Sequence, residues 1–519
     1  TRAKGDTTMG RKILLITTDQ MRHDALGCNG GTVARTPVLD GLARNGINYT
    51  RAHNQHVVCM PARATIITGQ YVATHGVWMN GVSLPEEQPT IAHWLSQHGY
   101  RTGLFGKAHF EPWLGDPATY YENRMAREGA TGPHRGFERM ELANHFYLGH
   151  SHYDVWLDRN HPDAVAKFYP MIGPQGGQNT RGGGATGAIQ VWDNPIAREI
   201  YHTDWVARRT ITWLDSLPAD ADWFVWMSFP DPHHPWDPPA SERARVDWRE
   251  VPLPDLYPRS RDAAVEVLER KPRHWLGYYD GSLWTNLESP RGFRPCDLTA
   301  EQVREINAMN HIENELIDEA CGRVLDRIAQ RGWGDDTDVI FTTDHGEFQG
   351  DYGLLFKGPY HCDALMRLPL IWRPARSAKI VPAVVAAPVG HVDLAQTFCR
   401  IAGVAEPDWV EGRALPVSDA EANAQRRERV LTEWDSEHGP VEIHIRTIYR
   451  DGWLLSAYEK GSLYDGGEGE LYDLSADPGA EINLWDDAAR RGLRGELVAD
   501  LYDHLPPRRT PRLVRGAPV

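Results

Sequence analysis

The chain of 519 residues predicts an α/β fold: a large, mostly parallel central sheet flanked by helices, with a smaller C-terminal domain built on an antiparallel sheet. Three observations predict it. Short apolar runs alternate with helical patterns along most of the chain. After Ala402 the pattern changes to closely spaced strand candidates split by turns. The residues just after the apolar runs are carboxylates, imidazoles and ammonium groups, and an open α/β sheet binds its ligands at the carboxyl ends of its strands.

The apolar runs at 12–18, 100–106, 223–229 and 338–343 read as buried parallel strands. Between them, 36–45 carries Val38, Leu39, Leu42 and Ala43 at helical spacing. The stretch 89–97 has Ile91 and Leu95 and stops at Gly99, and 200–217 repeats the same period. The clearest helix starts at Thr299, which with Gln302 forms a capping-box pattern. It runs on through Val303, Ile306, Met309, Ile312, Leu316, Ala320, Val324 and Ile328. Segments 113–195 and 230–295 are rich in Gly, Pro and aromatic residues and read as long irregular excursions. The strand candidates 430–434, 443–449, 453–458 and 470–473 form the small sheet, and 491–504 is the helix packed on it. The expected division is a catalytic domain over 9–420, a C-terminal domain over 421–504 and a tail over 505–519. The Pro/Arg-rich tail buries little and reads as disordered or as an arm onto a neighbouring subunit. Residues 1–8 read as a flexible leader.

The net charge of -16 argues against nucleic acid as a partner. It leaves room for a small anionic substrate, since a few local cations invert the field inside a cleft. Six scattered cysteines show no disulfide-framework spacing and no CxxC pair, so a reduced, cytoplasmic setting is expected. No apolar stretch approaches the ~20 residues of a membrane helix, and no membrane association is expected. Most of the 19 Trp are expected in the core, with a minority lining a cleft.

The chemistry gathers after the four strands. Asp19-Gln20 follows the first, Lys107 and His109 the second, His233-His234 the third, and Asp344-His345 the fourth, with Lys357 a short loop later. Asp19, Gln20, Asp344 and His345 make a divalent-metal set; oxygen-rich coordination suits Ca2+, and the imidazole makes Mn2+ its competitor. Lys107, Lys357 and His233 are cations or proton carriers suited to an anionic ester. In Cys59-Met60-Pro61-Ala62-Arg63, Pro61 suits the first turn of a helix, which would place Cys59 at a positive helix terminus with Arg63 folded back onto the same centre. Asn80 is a further candidate for contact with substrate.

The Cys-x-Pro-x-Arg string, with Gly106-Lys-Ala-His109, Pro232-His-His-Pro235, Thr343-Asp-His-Gly-Glu347 and Glu470-Leu-Tyr-Asp-Leu474, resembles the formylglycine-dependent type I sulfatases of the alkaline phosphatase superfamily. The resemblance implies that Cys59 is oxidised to formylglycine by a formylglycine-generating or sulfatase-maturating enzyme, and that Cys59 so modified joins the metal ligands. It implies that a hydroxyl of the hydrated aldehyde attacks sulfur. His233 or Lys357 would protonate the leaving alcohol, and His109 would deprotonate the second hydroxyl. Lys107 and Arg63 would hold the anionic groups. A homodimer or homotetramer is also implied. Asp19-Gln20 paired with Asp344-His345 looks like the phosphonate monoester hydrolase branch, whereas Lys107 and His109 look like sulfatase. The expected activity is aryl sulfate hydrolysis, with phosphonate monoester or phosphodiester hydrolysis as the alternative or as a promiscuous activity.

Overall fold

The computed structural model describes residues 11–114, 118–145, 147–169, 182–286, 289–438 and 441–518. The leader 1–8 and the glycine-rich stretch 173–177 lie outside the described residues.

Lys12–Thr18 lies at the centre of an eight-stranded sheet. On one side it pairs in parallel with Trp223–Ser228, which is followed outward by Arg101–Gly106 and Arg139–Leu142. On the other it pairs in parallel with Thr337–Thr343, followed by Leu370–Arg373, Ile47–Tyr49 and Ala383–Val385. Leu370–Arg373 alone among these eight runs against the rest. The four central strands match the apolar runs of the sequence to within one residue at either end. The four outer strands were not expected; each has only three or four residues, too short for an alternation to register.

Alternation along the central strand divides the core. Ile13 and Leu15 face one apolar cluster, with side chains of the helices Cys59–Thr68, Ile91–Gln97 and Leu394–Ala402. Leu14 and Ile16 face the other, with Pro37–Arg44, His202–Ser216 and Ala300–Gln330. A sheet covered by helices on both faces explains why its central strands are apolar on both sides in their middle. The 31-residue Ala300–Gln330 helix begins at the expected capping box, Thr299 accepting from the Gln302 amide. The segments expected to be irregular are only partly so. The excursions hold Tyr121–Glu128, His152–Asn160, Arg261–Leu268 and His274–Asp280, whose short apolar faces pack on the body rather than forming long periodic stripes.

The C-terminal sheet is a meander of Arg429–His438, Val441–Arg450, Trp453–Glu459 and Gly469–Asp473. Its Leu431, Ile448, Leu455 and Leu471 pack against Leu497 and Leu501 of the Arg491–His504 helix. Its other face, with Trp434, Ile445, Tyr449 and Tyr458, merges into the first apolar cluster of the main body. The small sheet thus shares a core with the main body. The tail is ordered against its own chain: residues 509–517 lie against 73–81. Its Pro and Arg content hides this, because the contacts are backbone hydrogen bonds and guanidinium stacking. All six cysteines are free thiols, and among the described residues no helix is long and apolar enough to cross a membrane.

Candidate active site

Strand register builds the site. Gly106 and Thr17 both pair with Ser228, and Thr18 pairs with Thr343. Lys107, Asp19 and Asp344, each one residue beyond its strand, therefore emerge side by side. The Asp344 amide donates to Thr18 O at 3.3 Å, and the Lys107 amide to Ser228 O at 2.9 Å. Gly106 makes this approach feasible: it has φ +107°, and a Cβ there would lie 1.7 Å from Ser228 O.

Onto this edge the Cys59–Thr68 helix, buried along its whole length, delivers its first residue. The thiol meets four groups. Cys59 Sγ is 3.6 Å from Asp19 Oδ1 and 3.2 Å from His345 Nε2. Lys107 Nζ and Lys357 Nζ donate to it at 3.6 and 3.5 Å. Asp344 joins Asp19, Cys59 and His345 in a group whose donor atoms all lie within 4.8 Å of one another.

Arg63, fully buried, clasps the carboxylates from behind. Its Nε donates to Asp344 Oδ2 at 2.8 Å and its Nη2 to Asp19 Oδ2 at 3.4 Å. Its Nη1 donates to Lys107 O and Ser228 Oγ at 2.7 and 2.8 Å. Asp344 Oδ1 accepts the amides of Gln20 and His345 at 3.1 and 2.9 Å. Burial would raise the Asp19 carboxyl, but Lys107, Arg63 and Lys357 outweigh it and hold it well below the usual range. Burial and then Asp19 push the Cys59 thiol up to about 12 against the pull of both lysines, so an unmodified cysteine here is a poor nucleophile.

The donor set fits a divalent cation. His345 donates its Nδ1 proton to Gly346 O at 3.0 Å, which leaves a lone pair on Nε2. That lone pair lies 3.6 Å from an oxygen of Asp19 and from one of Asp344. Burial lowers the His345 pKa, so no proton fills the gap between these acceptors. Gln20 borders the group, but its amide is engaged elsewhere: Oε1 accepts from Lys357 Nζ at 2.7 Å, and Nε2 faces His234 Nδ1 at 3.2 Å and donates to Glu347.

Behind Lys357 stands a column of imidazoles. Lys357 Nζ is 2.8 Å from His233 Nε2, whose Nδ1 is turned onto the His234 carbonyl. The rings of His145 and His234 stack on the two sides of His233 at 3.9 and 4.0 Å between centroids. Burial keeps all three well below the usual imidazole range. His109 differs from them. It is 4% exposed, takes φ +58°, and neither ring nitrogen has a hydrogen-bond partner among the described residues. Burial, then Lys107, hold it neutral. Asn80 is turned to the helix start, its Oδ1 accepting from the Met60 amide at 3.0 Å.

The structure thus brings Asp19, Cys59, Arg63, Lys107, Asp344, His345 and Lys357 into one constellation, with Gln20 and His233 one contact further out and Asn80 behind the helix. Sequence reasoning missed Ser228, Glu347 as a partner of Gln20, and His145. Ser228 lies in the predicted strand 223–229, one residue before its end, and was legible there. His145 comes from an excursion without periodicity and left no signal.

A buried cluster of cations and carboxylates at the edge of an eight-stranded, helix-covered sheet is the arrangement of an alkaline phosphatase-like fold. Residues 11–404 match the family model for sulfatases, and 350–505 match that for the C-terminal region of N-sulphoglucosamine sulphohydrolase. The chain belongs to the sulfatase family and is a sulfuric ester hydrolase. It is 26% identical to an uncharacterised sulfatase of Escherichia coli, over 96% of this chain and 88% of that one. It is 27% identical to an arylsulfatase of Clostridium perfringens, over 92% and 90%. The phosphonate monoester hydrolase of Agrobacterium radiobacter shares the fold, with a TM-score of 0.78, 24% identity and 95% of each chain covered.

Proposed function

We propose that this enzyme hydrolyses sulfate monoesters, aryl sulfates foremost, with a formylglycine made from Cys59 and one divalent cation, Ca2+ or Mn2+. The observation that carries the reading is the convergence of two lysines, a carboxylate and an imidazole on one fully buried sulfur atom. That sulfur marks where the oxygens of a hydrated aldehyde would lie. Formylglycine supplies a nucleophile at a position where the thiol stays protonated. Asp19, Asp344 and His345 would hold the cation, with Gln20 at its border, and the cation would supply Lewis-acid polarisation.

The remaining roles belong to residues of the chain. Lys107 and Lys357 flank the reacting centre and stabilise charge that develops on the ester oxygens. The sequence left His233 and Lys357 as alternatives for protonating the leaving alcohol. Lys357 faces the centre while His233 lies behind it, which supports Lys357 as the donor at Nζ and His233 as its support. His109, neutral and unpartnered, is suited to take a proton at a ring nitrogen. Arg63 positions the carboxylates.

A second reading, hydrolysis of phosphonate monoesters or phosphodiesters at the same site, is favoured by the pairing of Asp19-Gln20 with Asp344-His345. The test compares kcat/KM for an aryl sulfate and the matching aryl phosphonate. The sulfatase reading expects the sulfate to be turned over faster, and Lys107→Met and His109→Ala to depress sulfate more than phosphonate hydrolysis. Faster phosphonate turnover would install the second reading.

A further inference from the structure

We infer that the C-terminal tail is a positioning strap for the nucleophile. It holds the turn at 78–81, and that turn caps the helix on which Cys59 rides. The inference rests on the proposed role of position 59.

The Cys59–Thr68 helix has no side-chain cap from its own N-cap residue, Val58. A helix leaves its first amides without internal partners, and here those amides lie beside the reacting centre. Two contacts from the turn engage Met60. Asn80 Oδ1 accepts its amide at 3.0 Å, and the Gly81 amide donates to its Sδ at 3.1 Å. The turn is held in its place by residues more than 430 positions away. Trp78 Nε1 donates to Leu513 O at 2.8 Å, and the Arg512 guanidinium lies 3.9 Å over the Trp78 ring. Arg515 Nε donates to Asn80 O at 2.9 Å, and the Gly516 amide to Gly81 O at 2.8 Å. The approach is so close that a Cβ on Gly81 would fall 1.9 Å from Ala517 O. The Arg509 amide anchors the start of the strap on Ala73 O at 2.7 Å.

Asn80 is thus fixed through its side chain to the nucleophile helix and through its carbonyl to the tail. Removing the strap frees the turn to swing, and the helix start loses its external acceptor. A shift of about 1 Å at a reacting group costs on the order of 10²-fold in rate. The loss should fall on kcat, because the strap touches the turn that engages Met60 and not the cationic pocket.

The test uses the full chain, a chain ended after Pro507, and the full-length variants Arg515→Leu and Arg515→Lys, each matured alike. Two readouts are taken: hydrogen exchange of the peptide spanning 57–66, and kcat and KM for an aryl sulfate per mole of aldehyde. The truncated chain should exchange faster at 57–66 and lose on the order of ten- to a hundred-fold in kcat, with KM within about threefold. Arg515→Leu should move both readouts the same way, and Arg515→Lys, which keeps a donor for Asn80 O, should recover part of each. Unchanged exchange at 57–66 in the truncated chain would overturn the inference, even in a preparation with no turnover. Unchanged kcat beside faster exchange would overturn it as well. Full-length protein that carries no aldehyde yet turns over would instead overturn the proposed function.

Discussion

Lys357→Met removes an ammonium group and keeps the volume of its buried stem. Lys357 Nζ lies 3.5 Å from Cys59 Sγ, and the residue is fully buried. A unit charge at 3.5 Å interacts with about 5 kcal/mol at an effective dielectric near ~20. Only the part gained in the transition state accelerates the reaction. For one preorganised donor that part is about 2.7–4 kcal/mol, or ~10²–10³ in kcat. If Lys357 also delivers the proton to the departing alcohol, the loss must depend on that alcohol. An aryl sulfate with an acidic phenol leaves without help and should lose about 10²-fold. An alkyl or weakly activated aryl sulfate should lose a further ~10²-fold or more, the worth of general acid catalysis. The assay is kcat/KM over a series of leaving groups, normalised to aldehyde content, with wild type alongside. Equal losses across the series would refute Lys357 as the acid and shift that role to His233. A loss below about tenfold for every ester would refute its electrostatic role as well.

Other perturbations have defined outcomes. Arg63→Met leaves Asp19 and Asp344 buried without their shared guanidinium and should cost about 3–5 kcal/mol in denaturant unfolding. An unchanged midpoint would show that the clasp is not structural. Chelation should lower the melting temperature and abolish turnover, and refilling with Ca2+ or Mn2+ at ~100 times Kd should restore about 2.7 kcal/mol of stability. In Asp344→Asn a markedly higher metal concentration should be needed, and equal requirements would contradict Asp344 as a ligand. His75 donates to Thr65 Oγ1 and accepts the Val77 amide, and burial pushes its pKa down to about 3. Above pH ~6.5 both folded and unfolded states hold it neutral, and below that only the unfolded chain takes up the proton. Stability should therefore fall as pH drops from ~6.5 toward 3, by about 1.4 kcal/mol per unit for this group. His75→Gln should flatten the acid limb of the stability curve by that slope, and an unchanged slope would refute the assignment.

Much of this was legible because buried parallel strands announce themselves. Lys12–Thr18, Arg101–Gly106 and Thr337–Thr343 have apolar centres, and the polar residues directly after them, Asp19, Lys107 and Asp344, are the ones the register aligns. Legibility failed where structure depends on distant partners. Leu370–Arg373 is a strand only because Thr337–Thr343 and Ile47–Tyr49 flank it. His145 matters only because His233 lies 3.9 Å away. The packing of the tail on its own chain was not legible, because a strap made of backbone bonds to 73–81 leaves no apolar pattern. Gln20 shows a finer limit: its place beside Asp19 marked it for the site, but its amide is turned to Lys357, His234 and Glu347.

The central claim concerns position 59. The direct measurement is the mass of the peptide carrying that residue, in protein made with and without a maturating enzyme, set against aryl sulfate turnover of the same preparations. Exchange of the thiol sulfur for an aldehyde oxygen lowers the peptide mass. Turnover is expected to rise in proportion to the aldehyde fraction and to vanish where only thiol is present. Turnover by protein that carries only thiol at position 59 would contradict the account.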